Sequence, residues 1–222
     1  MTKMEFELGT KKQVNYFVDI LDLLLAIGDE VPLFFTPSTM KVMGMDNSHV
    51  AMIDLKLDGS NFEVFDVEMP EDKDKLILAP NLKELKRRID TINADDETAR
   101  IYYNTDKERI SIHIKDYNTR RIRELEIPLL EPMEEEVPEP KIFFHAKGGV
   151  QVKDFERALT DASFVSDHVR MHFLGGEEKL RFEADGDTGS SFMELPKDQV
   201  KNFSVKNDED EAQATYTLSW LA

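Results

Sequence analysis

Five histidines, His49, His113, His145, His168 and His172, are the first residues to weigh for chemistry. His168 and His172 stand four apart, the spacing of a metal-binding pair on a helix. The intervening Val169, Met171 and Phe173 alternate as in a strand, and no third ligand is in view. Asp185-Gly186-Asp187-Thr188-Gly189 is acidic and turn-like, yet it lacks the frame and terminal Glu of a calcium loop. Lys147-Gly148-Gly149 has its lysine on the wrong side for a phosphate-binding loop. Cysteine is absent, which excludes a thiolate nucleophile, a thiolate metal site and a disulfide framework. Glu134–Glu136 and Asp208–Glu211 read as solvated charge. The expectation is a protein that binds rather than catalyses, with no metal and no cofactor.

Binding chemistry must then come from cations and apolar patches. The chain carries 45 Asp and Glu against 28 Lys and Arg, a net charge of −17, which argues against nucleic-acid binding over the whole surface and leaves room for a local basic face. Lys83, Lys86 and Arg87 share the polar side of a helix with Asp90. Lys153 and Arg157 stand four apart on another helix, beside Asp154, Glu156 and Asp161. Each set is either an ordinary solvated face or a phosphate-contacting one. Met45, His49, Val50 and Met52 gather at a strand turn, and Val137 and Pro138 interrupt an acidic run. These are either local packing or a docking patch.

These residues sit on elements that the patterning outlines. Val14, Phe17, Val18, Leu21 and Leu24 predict a helix over Lys11–Leu24, closed by Gly28. Asn81 caps a second helix with Leu82, Leu85, Ile89 and Ile92 as its stripe. Strands are expected at 5–8, 31–36, 40–45, 50–57, 62–67, 100–103, 110–115 and 121–127. Residues 131–140 then hold three prolines and five glutamates, the composition of an extended linker. Beyond it the pattern restarts: Asp29, Val31, Leu33 and Phe35 match Asp167, Val169, Met171 and Phe173 at an offset of 138, and Phe17 and Leu21 match Phe155 and Leu159. The expected organisation is an α+β domain over 1–129, a linker over 130–140, and a similar but incomplete domain over 141–222. Tyr216–Ala222 reads as the start of a helix equivalent to that at Asn81, through Leu218 and Leu221. With 41% hydrophobic and 33% charged residues the chain is too apolar for a disordered acidic tail and too polar for a membrane protein. It contains neither a membrane-length apolar run nor an apolar signal core near Met1, so an intracellular protein without a membrane partner is expected.

Met45-Asp46-Asn47-Ser48-His49-Val50, the Val31–Phe35 strand, the Asn81-Leu82 helix start, the acidic linker with Val137-Pro138, and Val165-Ser166-Asp167-His168-Val169 together resemble the sliding clamps of the proliferating cell nuclear antigen family, of archaeal type. The resemblance covers nearly the whole chain except the family's last helix, final strands and C-terminal segment. It implies two tandem domains of the DNA-clamp fold, helices inside and antiparallel sheets outside, in three subunits closing head to tail around duplex DNA. The function it implies is a processivity factor that tethers DNA polymerase and other replication and repair enzymes. The alternative is an acidic protein-interaction scaffold that kept the fold and no longer closes a ring. Lys83, Lys86, Arg87, Lys153 and Arg157 would face the DNA without reading sequence. Met45, His49, Val50, Met52, Val137 and Pro138 would receive a short aromatic-bearing peptide from a polymerase, clamp loader or other partner. Arg121 and Arg123 would face Asp187 and Glu194 of the next subunit in a homotrimer or heterotrimer. The compartment would be cytoplasm or nucleoid in an archaeon, nucleus in a eukaryote.

Overall fold

The computed structural model describes residues 3–69, 73–131, 143–206 and 210–221. The chain divides into two compact units, Met1–Pro138 and Glu139–Ala222. The expected linker, with Val137 and Pro138, falls almost entirely outside the described residues.

The first unit runs β1 (Lys3–Leu8), α1 (Lys11–Leu25), β2 (Leu33–Phe35), β3 (Thr39–Met45), β4 (Met52–Asp58), β5 (Val64–Glu68), β6 (Leu76–Leu78), α2 (Leu82–Ile89), β7 (Glu97–Asn104), β8 (Arg109–Asp116) and β9 (Ile122–Pro128). Two antiparallel sheets result, ordered β5-β1-β7-β8-β9 and β4-β3-β2-β6. Helix α1 starts in a capping box: the Gln13 N–H donates to Thr10 Oγ1 at 3.2 Å, and Gln13 Oε1 accepts from the Thr10 N–H at 3.1 Å. Helix α2 starts where the Glu84 N–H donates to the Asn81 side chain at 3.0 Å. Phe17, Leu21 and Leu24 of α1 and Leu82, Leu85 and Ile89 of α2 are buried in one core with Phe6, Phe35 and the inward residues of both sheets. That burial, rather than helix propensity, holds so short a helix as α2.

The second unit runs β10 (Ala146–Gly149), α3 (Val152–Ser163), β11 (His168–Leu174), β12 (Lys179–Gly186), β13 (Gly189–Pro196), β14 (Lys201–Val205) and β15 (Glu211–Thr217). Its sheets are ordered β13-β12-β11-β15 and β10-β14. The duplication extends to single hydrogen bonds. The Ile27 and Gly28 N–H groups donate to Leu24 O at 3.1 and 3.2 Å; Val165 and Ser166, 138 residues on, donate to Ala162 O at 3.1 and 3.0 Å. The 3₁₀ turns Gly59–Asn61 and Lys197–Gln199 keep the same offset. Gly186 is required where β12 meets the end of α3, because a Cβ there would lie 1.7 Å from Val165 O.

Two local expectations need correction. Strand β6 was not anticipated, being only three residues long. The helix expected from Tyr216 is instead the end of β15 followed by one 3₁₀ turn, Leu218–Trp220. The match itself survives: the Leu82 N–H donates to Asp29 O at 2.8 Å and the Leu218 N–H to Asp167 O at 2.9 Å. Leu218 thus enters its core as Leu82 does.

Candidate functional site

The turn between β3 and β4 is built around one carboxylate. Asp46, 5% exposed, accepts from the N–H groups of Ser48 and Val50 at 2.7 Å each and of Ala51 at 2.6 Å. The Ala51 N–H, then those of Ser48 and Val50, hold its carboxyl below the usual carboxylate range against the opposing effect of desolvation. His49 takes the left-handed conformation, φ 56°, and donates its N–H to Asp46 O at 2.9 Å. The turn therefore presents Val50, 67% exposed, and His49 to solvent, above the directly opposed Met45 and Met52. The structure brings these four expected residues together; Val137 and Pro138 lie outside the described residues.

The helix cations divide into tied and free. Lys86 bonds Asp90 at 2.9 Å and lies 3.4 Å from Asp22 of α1; Asp90 is the main reason its ammonium is held above the usual range. Arg87 and Arg88 both bond Glu84, at 2.7 and 2.6 Å. Lys83, Lys153 and Arg157 are exposed and form no ion pair among the described residues. Of the five expected phosphate contacts, these three are available without first breaking a bond.

β9 and β13 are edge strands of their sheets. Of the four charges expected to join subunits, Arg121, Arg123 and Glu194 are engaged at home. Arg123 bonds Glu97 at 2.8 Å and Thr91 O at 3.1 Å. Arg121 bonds Asp116 at 3.2 Å, and Glu194 is held by Lys179 at 2.9 Å and by Arg181. Asp187 is exposed in the β12–β13 turn. Each edge also carries a solvent-facing apolar residue beside its charges: Ile122, 62% exposed, on β9, and Phe192, 69% exposed, on β13 with the Arg181 guanidinium 5.8 Å from its ring centre.

Asp116 ties the β8–β9 turn as Asp46 ties the other. Thr119 donates its hydroxyl at 2.6 Å and its N–H at 2.8 Å, and the Asn118 N–H donates at 2.8 Å. With the Thr119 hydroxyl as main cause, the carboxyl is pushed down to about 2 from 3.8. A depressed folded value means stabilisation that is fully present above pH 3.8 and lost as pH falls through about 2. The thermal midpoint of Asp116→Asn is therefore expected several degrees below the parent's at neutral pH, the gap narrowing below about pH 4. Parallel curves of midpoint against pH would refute it.

No protein-family model matches the chain. It is 28% identical over 206 residues to the DNA polymerase sliding clamp of Pyrococcus furiosus, covering 93% of this chain and 78% of that one. It is 28% identical over 218 residues to DNA polymerase sliding clamp 1 of Pyrobaculum aerophilum, covering 95% and 81%. The crystal structure of PCNA from Thermococcus kodakaraensis superposes with a TM-score of 0.81 at 18% identity, covering all of this chain and 83% of that one. The chain has the sliding-clamp fold.

On this clamp fold the other candidates for chemistry have structural places. His172 is on β11 beside Glu211 of β15, 3.0 Å away, and His168 begins β11 opposite Thr217. Asp185 and Gly186 end β12, where Gly186 pairs with Gly189. Among the described residues no three His, Asp or Glu are grouped to hold a metal, and no helix is long and apolar enough to cross a membrane.

Proposed function

We propose that this chain is a sliding-clamp subunit that encircles duplex DNA and tethers DNA polymerase and other replication and repair enzymes. The likeness to DNA polymerase sliding clamps over nine-tenths of the chain carries the reading. Three surfaces give it a mechanism. Edge strands β9 and β13, bearing Ile122 and Phe192, pair head to tail between copies, a heterologous contact that closes into a trimeric ring. Free cations on the helices, Lys83, Lys153 and Arg157, contact phosphates through flexible side chains that read no bases. The Asp46-ordered turn receives an aromatic-bearing peptide of a partner enzyme, which gains a high local concentration at the DNA.

The deciding experiment is loading by a clamp loader onto nicked circular DNA. Retention on the circle and loss on linearisation are expected; retention that ignores linearisation would overturn the ring. In the same assay Lys83→Ala/Lys153→Ala/Arg157→Ala should reduce polymerase stimulation while leaving peptide binding intact. Weak binding of open subunits should lose up to about 0.9 in salt slope per phosphate contact removed. Lys86→Ala and Arg87→Ala should have smaller effects, since their charges are already met by Asp90 and Glu84. The stability cost of the exposed Lys83, Lys153 and Arg157 changes is within about 0.5 kcal/mol. Unaltered stimulation by the triple variant would remove the helices from the DNA-facing surface.

A further inference from the structure

The larger sheet of the second unit has two edges, and the proposed ring uses one of them. Its order is β13-β12-β11-β15, so β15 lies at the end away from β13. Among the described residues β15 pairs only with β11, residue by residue from Thr217 opposite His168 to Glu211 opposite Leu174, with no register shift. An edge strand leaves a row of N–H and C=O groups open, and proteins guard such rows with charge, proline, a bulge or shortness. The other described edges are guarded. β4, β5, β9, β10, β13 and β14 each carry charge, among them Lys56, Asp66, Glu124 and Glu194, and β6 is three residues long. β15 is seven residues long, and from Ala212 to Thr217 it has no charge, no proline and no glycine.

Charge and side-chain size point to the strand that completes this edge. Two copies of a chain of net charge −17 repel each other, so a contact between copies needs a neutral strip, and β15 is one. Its single acid, Glu211, is 3.0 Å from His172 of the same sheet. Ala212, Ala214 and Tyr216 oppose Phe173, Met171 and Val169 and share their core side, while Gln213 and Thr215 lie on the outer side. We propose that β15 pairs antiparallel with β15 of a second copy about a two-fold axis through Ala214. That register uses all seven residues and sets core side beside core side; moving the axis by one residue loses two of the pairs. Each Tyr216, 43% exposed in the single chain, then lies beside the small Ala212 of the second copy, Gln213 meets Thr215, and Glu211 meets Thr217, so no two charges oppose. The contact is isologous and stops at two copies, and it is independent of the β9–β13 joint because β13 is the other edge. One strand pair with Tyr216 as its largest side chain makes a small, transient interface, to be trapped rather than weighed.

The chain has no cysteine, so single cysteines placed on β15 report its neighbour directly. Opposed residues of antiparallel strands have Cα atoms about 4.5–5.5 Å apart, within reach of a disulfide, whereas diagonal neighbours at about 7–8 Å are not. Under copper-catalysed air oxidation of the full chain, Ala214→Cys should form a covalent dimer at least about tenfold faster than Gln213→Cys or Thr215→Cys alone. A mixture of the Gln213→Cys and Thr215→Cys chains should cross-link as Ala214→Cys does, because those outer positions oppose each other. The same order of rates is expected after Ile122→Asp is added on β9, which takes no part in this contact. Equal rates at the three single positions would mean random collision and overturn the pairing. Loss of the Ala214 preference in the Ile122→Asp background would trace it to the ring and overturn the strand pair. Absence of cross-links in every variant would overturn it as well and leave the edge to a strand of another protein.

Discussion

Phe192→Asp is expected to leave a folded chain that sediments as a monomer under conditions where the parent forms the proposed trimer. Phe192 faces solvent on β13, 69% exposed, so its replacement removes little from the core of its own unit. In the proposed ring, edge pairing between β13 and β9 covers it, and burying a phenylalanine contributes about 1.5–3 kcal/mol. The variant loses that contribution at every interface and adds a carboxylate that must be desolvated there. The dissociation constant of each contact should rise about a hundredfold or more. Ile122→Asp on β9 should act in the same way from the other edge. Reversing Arg123 is a poorer probe, because a glutamate there would face Glu97 and break bonds inside its own unit. A Phe192→Asp chain with the parent's sedimentation coefficient would place the joint elsewhere. A chain that melts early would show that Phe192 supports its own unit instead.

What was legible in the sequence was whatever repeats. Val14, Phe17, Leu21 and Leu24 announce α1 by spacing, and the offset of 138 carries Phe17 and Leu21 onto Phe155 and Leu159 because both units bury the same helix face. The Met45–Val50 block pointed to the turn that the fold indeed exposes. Illegible features depend on distant partners or on very short stretches. Leu218 and Leu221 have a three-residue spacing that a 3₁₀ turn and a helix share, so periodicity could not separate the two. Asp90, four residues on, is a legible partner for Lys86; Asp22, 64 positions earlier, is brought beside it only by the packing of α1 on α2. Ile122 lies between Arg121 and Arg123, and Phe192 lies two residues before Glu194, charges that point toward ion pairs. Their exposure on two edge strands emerges only from strand order.

Asp46→Ala is expected to abolish most peptide binding while sparing the fold. The substitution leaves three N–H groups, of Ser48, Val50 and Ala51, aimed at a site with no acceptor. Unpaired donors at a buried position are costly, so the turn rearranges until water or another carbonyl reaches them. The left-handed His49 and the projecting Val50 are consequences of that turn, and they should move with it. The ladder from Thr39 to Met45 against Met52 to Asp58 does not depend on the carboxylate, and Met40, Val42 and Leu57 keep it on the core. Affinity for an aromatic-anchored peptide should fall at least about tenfold, with protection of the Ser48, Val50 and Ala51 amides from hydrogen exchange falling in parallel. Asp46→Asn keeps one oxygen acceptor but turns an NH₂ group toward N–H donors, so it should fall between parent and alanine. Because the folded carboxyl is held below 3.8, the ordering of the turn is fully present above that value and is lost as pH falls through the depressed one. Titration of Asp46 should therefore leave peptide affinity unchanged from neutral pH down to about 4. Unchanged binding and unchanged amide protection in Asp46→Ala would mean that the turn holds its shape without the carboxylate.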